Sequence, residues 1–105
     1  MIRNMAVNTL SEAQKLREAE LIAICKFHQG EYLPAYHGRG SWATTYANEF
    51  IAASKELCAI YEAAGECFPQ YALARSFREA GITSCRGSIM TFERAEYLYT
   101  THIKV

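Results

Sequence analysis

Six glycines punctuate the chain of 105 residues, and between them apolar residues recur at the three- and four-residue spacing of an α-helix. The pattern is clearest in the second predicted helix, in which apolar residues recur from Tyr46 to Ala64. Ser41 is its expected N-cap, and Gly65 fits the left-handed residue just past its end. We therefore predict a mainly α fold, a small bundle of about four helices with this second helix at its centre.

The first predicted helix begins near Ser11. Ser11 is followed three residues later by Gln14, which is the form of a capping box. The helix is expected to end at Gly30. Residues 21–25 are apolar on nearly every side, which predicts that the second half of this helix is buried all round.

The third predicted helix runs from Pro69 to Gly81. Proline is favoured at a first helical position, and glycine is favoured just past a helix end. Phe77 and Ile82 lie where the Schellman motif places an apolar contact across its glycine. The sequence therefore predicts both ends of this helix.

The C-terminal segment allows two structures. Thr91 is expected to cap a short helix that ends near Tyr99 and is followed by an extended tail. Residues 97–105 also alternate in polarity and favour a strand, so the alternative is an α+β fold with a C-terminal hairpin that pairs 86–92 with 97–105. In either case we expect one domain over the whole chain, 1–105.

Composition limits the chemistry of this chain. All 11 acidic residues are glutamate, which excludes a Ser-His-Asp triad, an aspartic-protease dyad and an EF-hand loop. Neither the P-loop nor the dinucleotide-binding glycine motif is present. Cys25, His28 and Glu31 resemble a nucleophile, a base and an orienting acid, but such residues often fall together by chance. We therefore expect a protein that is not an enzyme and takes no cofactor.

The four cysteines are expected to be reduced and mostly buried. The sequence shows no signal peptide and no apolar run of membrane-spanning length, which predicts a cytoplasmic protein without a membrane segment. Cys25 and His28 have the spacing of a zinc-binding pair, but Cys58, Cys67 and Cys85 supply no second close pair. We therefore predict no metal site.

A recognisable pattern covers residues 72–98. They are expected to form a helix, a glycine stop, a turn and a second short helix, so that the C-terminal half is helix-turn-helix-like. The pattern resembles the helix-turn-helix of serine recombinases, resolvases and related mobile-element proteins. It does so through Gly81-Ile82, Arg86-Gly87, Thr91 and Leu98. The resemblance covers about a quarter of the chain. The chain of 105 residues is too short to hold a recombinase catalytic domain.

This resemblance implies a non-catalytic DNA-binding protein of mobile-element or phage type, in which the helix after Thr91 enters the major groove. The residues expected to contact DNA are Arg75, Arg78, Arg86, Ser88, Thr91 and Arg94. Glu93 and Glu96 depart from the pattern because acids on a reading helix face the DNA phosphates. Although the net charge is zero, residues 69–105 carry 5 basic and 3 acidic side chains, so the positive charge lies where the pattern needs it.

An aromatic and basic stretch favours a function of another class. Residues 30–41 contain Pro34 and three glycines and are expected to form a loop. Tyrosine and arginine are frequent hot-spot residues of protein interfaces. The alternative function is therefore a small phage-encoded inhibitor or adaptor of a host protein. Its expected interaction residues are Tyr36, His37, Arg39, Glu93 and Glu96. A homodimer formed through the apolar helices is compatible with either function.

Overall fold

A computed structural model of the chain describes residues 10–29, 33–36, 42–83 and 89–104. In chain order they form α1 (Glu12–His28), β1 (Leu33–Tyr36), β2 (Trp42–Thr45), α2 (Asn48–Ala63), α3 (Pro69–Ala80) and α4 (Phe92–Leu98). α4 continues directly into a π-helical turn, Tyr99–Ile103. The predicted mainly α fold with four helices is confirmed.

α2 lies at the centre of the fold, where it packs against α1, α3 and the π-helical turn. Its side chains Phe50, Leu57 and Tyr61 are fully buried, and the ring centroid of Phe50 lies 5.4 Å from that of Phe77 on α3. Burying a large apolar side chain contributes about 1.5–3 kcal/mol. This shared core fixes the position of α3.

The first helix begins as predicted but is not buried all round. The Ser11 Oγ accepts a hydrogen bond from the backbone N–H of Gln14 at 3.1 Å, and the Gln14 Oε1 accepts one from the N–H of Ser11 at 2.9 Å. Within residues 21–25, Leu21 and Cys25 are buried whereas Ala23 is exposed. The prediction was wrong because only one side of α1 packs on the other helices.

The second helix begins later than predicted. α2 starts at Asn48, and Ala47 holds the N-cap position without a side-chain hydrogen bond. Ser41, the predicted N-cap, lies outside the described residues. Tyr46 is buried although it precedes the helix, so its apolar spacing reflects the core and not the helix boundary.

The predicted loop at residues 30–41 contains a strand. β1 pairs antiparallel with β2, with Leu33 opposite Thr45 and Tyr36 opposite Trp42. The loop prediction is therefore wrong for residues 33–36. Proline is tolerated in β1 because each strand of a two-stranded sheet has one edge that needs no ladder hydrogen bond.

The end of α3 is a Schellman motif, as predicted. Gly81 is left-handed with φ 74°, its N–H donates to the carbonyl of Arg78 at 3.2 Å, and the N–H of Ile82 donates to the carbonyl of Phe77 at 2.8 Å. The Lys26 Nζ on α1 also donates to the Gly81 carbonyl at 3.3 Å. The chain therefore stops α3 at a defined residue before it turns toward α4.

The C-terminal residues are helical and not extended. The N–H of Lys104 donates to the carbonyl of Tyr99, five residues earlier, at 2.7 Å. This overturns the predicted extended tail, and it overturns the alternative hairpin because 97–103 forms no strand. The physical reason is packing: the helical path buries both Leu98 and Ile103.

Three of the four cysteines lie in the described part of the chain, where all three are free thiols. Cys25 and Cys58 are buried, as predicted, and Cys67 is exposed. Cys85 lies outside the described residues.

Candidate functional site

Four of the six residues predicted to contact DNA lie on α3 and at the start of α4, which pack against each other. Arg78 is exposed, Arg75 and Arg94 are partly buried, and Thr91 is the N-cap of α4. The Thr91 Oγ1 accepts the backbone N–H of Arg94 at 3.0 Å. The other two predicted residues, Arg86 and Ser88, lie outside the described residues.

Two of these arginines lie over aromatic rings of α4. The guanidinium carbon of Arg78 is 5.9 Å from the ring centroid of Phe92, and that of Arg94 is 5.1 Å from the ring centroid of Tyr97. Both distances are within the range of a cation–π contact. Phe92 and Tyr97 of α4 therefore each form a cation–π contact with an arginine of the same chain.

The structure describes three of the five residues predicted to bind a protein. Glu93 and Glu96 lie on α4, where Glu93 is exposed and Glu96 is partly buried. Tyr36 is the last residue of β1. The remaining two, His37 and Arg39, lie outside the described residues. The interaction role of this aromatic and basic stretch therefore stays a prediction, whereas Glu93 and Glu96 have a described environment.

Glu93 and Glu96 line an open groove of about 440 Å³ between α3 and α4. We call it the acidic aromatic groove, and its residues are Phe68, Gln70, Tyr71, Phe92, Glu93 and Glu96. Its three rings form a continuous series. The ring centroids of Phe68 and Tyr71 are 5.5 Å apart, and those of Tyr71 and Phe92 are also 5.5 Å apart.

All three rings are open to solvent. Phe68 is 57% exposed, Tyr71 is 42% exposed and Phe92 is 50% exposed. Soluble monomers seldom expose contiguous apolar surface without a function for it. The groove is therefore the leading candidate for a functional site.

Local sequence rules explain how α4 presents its part of the groove. The Thr91 cap sets the start of the helix, which makes Phe92 its first residue. Ala95 and Leu98, three residues apart, are its buried positions. Phe92 and Glu93 are consequently left on the exposed side of the helix.

A buried amide holds one of the carboxylates. Gln70 is only 9% exposed, and its Nε2 donates to Oε1 of Glu96 at 3.0 Å. A buried amide with a hydrogen-bond partner has little freedom to turn away. Gln70 therefore fixes Glu96 against α3.

The groove carries negative charge that the described residues do not neutralise. Among the described residues no basic side chain lines it and neither Glu93 nor Glu96 forms an ion pair, although the Arg78 guanidinium lies over the ring of Phe92. A pair of uncompensated carboxylates beside an apolar wall produces a negative local potential. This potential favours a positively charged partner.

Sequence reasoning missed four of the six groove residues. Phe68, Gln70, Tyr71 and Phe92 were not predicted to belong to a site. One signal was present, because Phe68 and Tyr71 are three residues apart at the start of a helix that already has a buried stripe through Leu73. An apolar pattern wider than one stripe indicates a second contact surface.

The Cys25 and His28 pair does not have the properties of an activated nucleophile and base. Burial raises the pKa of Cys25 to about 12, although a hydrogen bond with Ser54 acts in the opposite direction. The thiol is therefore protonated near neutral pH, whereas nucleophilic cysteines act as thiolates. Glu31, the third member of the set, lies outside the described residues.

Within the described ranges no group of three or more histidine, cysteine or glutamate side chains is placed to hold a metal ion. None of the described helices combines the length and the apolar character required to cross a bilayer.

Comparisons with models of protein families, with curated proteins and with solved structures gave no match to this chain. The resemblance of residues 72–98 to the resolvase helix-turn-helix therefore rests on the sequence alone. The geometry of the groove is the main guide to function.

Proposed function

We propose that this chain is a small non-catalytic binding protein that docks on a partner protein through the acidic aromatic groove. The observation that carries the proposal is the series of three solvent-exposed rings beside Glu93 and Glu96. Exposed aromatic residues are enriched in protein interfaces and supply much of their binding energy. This is the inhibitor or adaptor function, located on α3 and α4.

The groove is built on rigid elements, which suits a docking role. Its walls are α3, which is attached to the core through Leu73 and Phe77, and α4, which is attached through Ala95 and Leu98. A surface held by packed helices loses little conformational entropy on binding. The groove is therefore ready to bind without rearrangement.

Site-specific photo-cross-linking tests this proposal. Tyr71 is replaced by the photoreactive p-benzoylphenylalanine, and a matched control carries the same group at Leu16, which is 68% exposed on α1. We expect a discrete protein adduct from position 71 in lysate of the natural host, and we expect Phe92→Ala to weaken it. Equal products from both positions, or an adduct indifferent to Phe92→Ala, would contradict the proposal.

DNA binding is a second proposal, favoured by one observation. α3 and the capped α4 are consecutive helices that pack against each other and are joined after the Schellman turn. Arg75 and Arg78 lie on α3. Phosphate-led binding weakens steeply as salt rises. An electrophoretic shift with duplex DNA at low salt is the test, with Arg75→Ala compared with Lys55→Ala, and absence of a shift would end this proposal.

A further inference from the structure

We infer that the acidic aromatic groove recognises an arginine side chain in an extended segment of the partner. This inference rests on the proposed docking function and specifies the chemistry of the bound group. The groove provides rings and carboxylates together, and none of the described residues that line it is basic. Its charge complements a cation.

A guanidinium group matches both components of the groove. It is planar and stacks on aromatic faces, and its fixed fork of N–H donors can bind a carboxylate through two hydrogen bonds. A lysine ammonium is a compact and strongly hydrated charge that lacks the flat face. The series of rings from Phe68 to Phe92 therefore favours arginine over lysine.

The protein already shows that its rings accept this group. Arg78 lies 5.9 Å from the ring centroid of Phe92, and Arg94 lies 5.1 Å from that of Tyr97. Neither arginine forms part of the groove lining. Within the chain, one guanidinium group thus already stacks on Phe92, a ring of the groove, and a second stacks on Tyr97 of the same helix.

The carboxylates are arranged to receive such a group. Gln70 donates to Oε1 of Glu96, and Oε2 of Glu96 has no hydrogen-bond donor among the described residues. Glu93 lies three residues earlier on α4, and residues at this spacing are neighbours on a helix surface. One carboxylate is therefore held in place by a buried amide, and a second lies beside it.

The test uses three short peptides of alternating glycine and a variable residue, which is arginine, lysine or citrulline. Citrulline has nearly the shape of arginine without its charge. Binding is followed by shifts of backbone amide resonances in ¹⁵N-labelled protein. We expect the arginine peptide to shift residues 68–71 and 92–96, the lysine peptide to bind more weakly and the citrulline peptide to cause no shift there.

Matched variants separate the charge of the groove from the charge of the whole protein. Glu93→Gln/Glu96→Gln is expected to weaken arginine-peptide binding about tenfold, since it removes both carboxylate charges that attract the guanidinium group and this attraction is partly screened at a surface. Glu62→Gln/Glu79→Gln removes the same charge from exposed positions on α2 and α3 and is expected to leave binding unchanged. Unchanged amide spectra and unfolding temperatures establish that both variants are folded.

The outcomes distinguish this inference from the docking proposal. If citrulline binds in the groove as tightly as arginine, or lysine as tightly as arginine, the groove docks peptides but arginine recognition is overturned. If no peptide shifts the groove while position 71 still cross-links a partner, arginine recognition falls and docking stands. If both the peptides and the cross-linking fail, both proposals fall.

Discussion

Two surfaces of this protein carry glutamates near solvent. The two sets of glutamates differ in whether an arginine of the chain pairs with them. On the α1–α2 surface, Arg17 donates through Nε and Nη2 to both carboxylate oxygens of Glu56 at 2.8 and 2.9 Å, and through Nη1 to Glu20 at 2.9 Å. On the α3–α4 surface, Glu93 and Glu96 have no arginine partner within the described residues. The first set of charges is paired within the chain, whereas the second set is the one that the docking proposal assigns to a partner.

The same contrast holds for aromatic side chains of a single helix. Phe77 on α3 is fully buried and contacts Phe50, whereas Tyr71, six residues earlier, is exposed in the groove. One face of α3 therefore packs in the core, and the other carries the ring that the docking proposal uses. Four predictions test this separation.

The largest effect is expected from the buried ring. Phe77→Ala should reduce the free energy of unfolding by about 3–5 kcal/mol, because it removes apolar contacts and leaves a cavity. Tyr71→Ala on the same helix should cost far less, since its ring is already partly solvated. Urea denaturation measures both, and equal losses would show that the groove rings belong to the core.

Tyr61→Phe should have the next largest effect. The hydroxyl of this buried tyrosine donates to Glu18 at 2.7 Å and lies 2.8 Å from the Ser76 Oγ, and burial raises its pKa. A hydrogen bond to a charged group contributes about 1.5–3 kcal/mol, and a loss near the lower end is expected because Glu18 is only partly buried. An unfolding free energy unchanged from that of the parent protein would contradict this account.

Thr91→Ala should destabilise the protein by about 1 kcal/mol through loss of the cap on α4. It should also weaken arginine-peptide binding, because Phe92 and Glu93 occupy the first turn that the cap defines. Thr91→Ser restores the capping oxygen and is the control. If Thr91→Ser binds the arginine peptide as weakly as Thr91→Ala does, the capping hydrogen bond is not the cause of the weaker binding.

The smallest effect is expected at the neutralised surface. The hydrogen bond from Arg17 lowers the pKa of Glu56, so the pair stabilises the fold above the ordinary pKa of glutamate, and this contribution is lost as the pH falls through the lowered value. Both side chains are exposed, so the change in stability should be slight and sensitive to salt. Arg17→Ala should return the pKa of Glu56 to its ordinary range, as measured by a carboxyl titration in NMR, and arginine-peptide binding should not change.

Sequence reasoning succeeded where the cause of a structure is local. Ser11 with Gln14, Phe77 with Ile82 across Gly81, and the Thr91 cap each involve residues close in the chain, and each was predicted. Glu93 and Glu96 were also expected to be interaction residues from the sequence of one helix, and that role stays a prediction.

The features that were missed depend on distant residues. Nothing in residues 33–36 alone reveals that β2 pairs with them. The groove arises because Tyr71 on α3 meets Phe92 on α4, and because Gln70 reaches Glu96. Such contacts are set by how the helices pack on α2, which the spacing of residues within one helix does not determine.

The positions of the thiols allow this protein to be labelled selectively. Burial raises the pKa values of both Cys25 and Cys58 to about 12, so these two thiols resist alkylation at neutral pH. Cys67 is exposed and directly precedes Phe68 at the rim of the groove. In a Cys85→Ser background, a maleimide dye should therefore attach selectively at Cys67. Its fluorescence would then report occupancy of the groove as it happens.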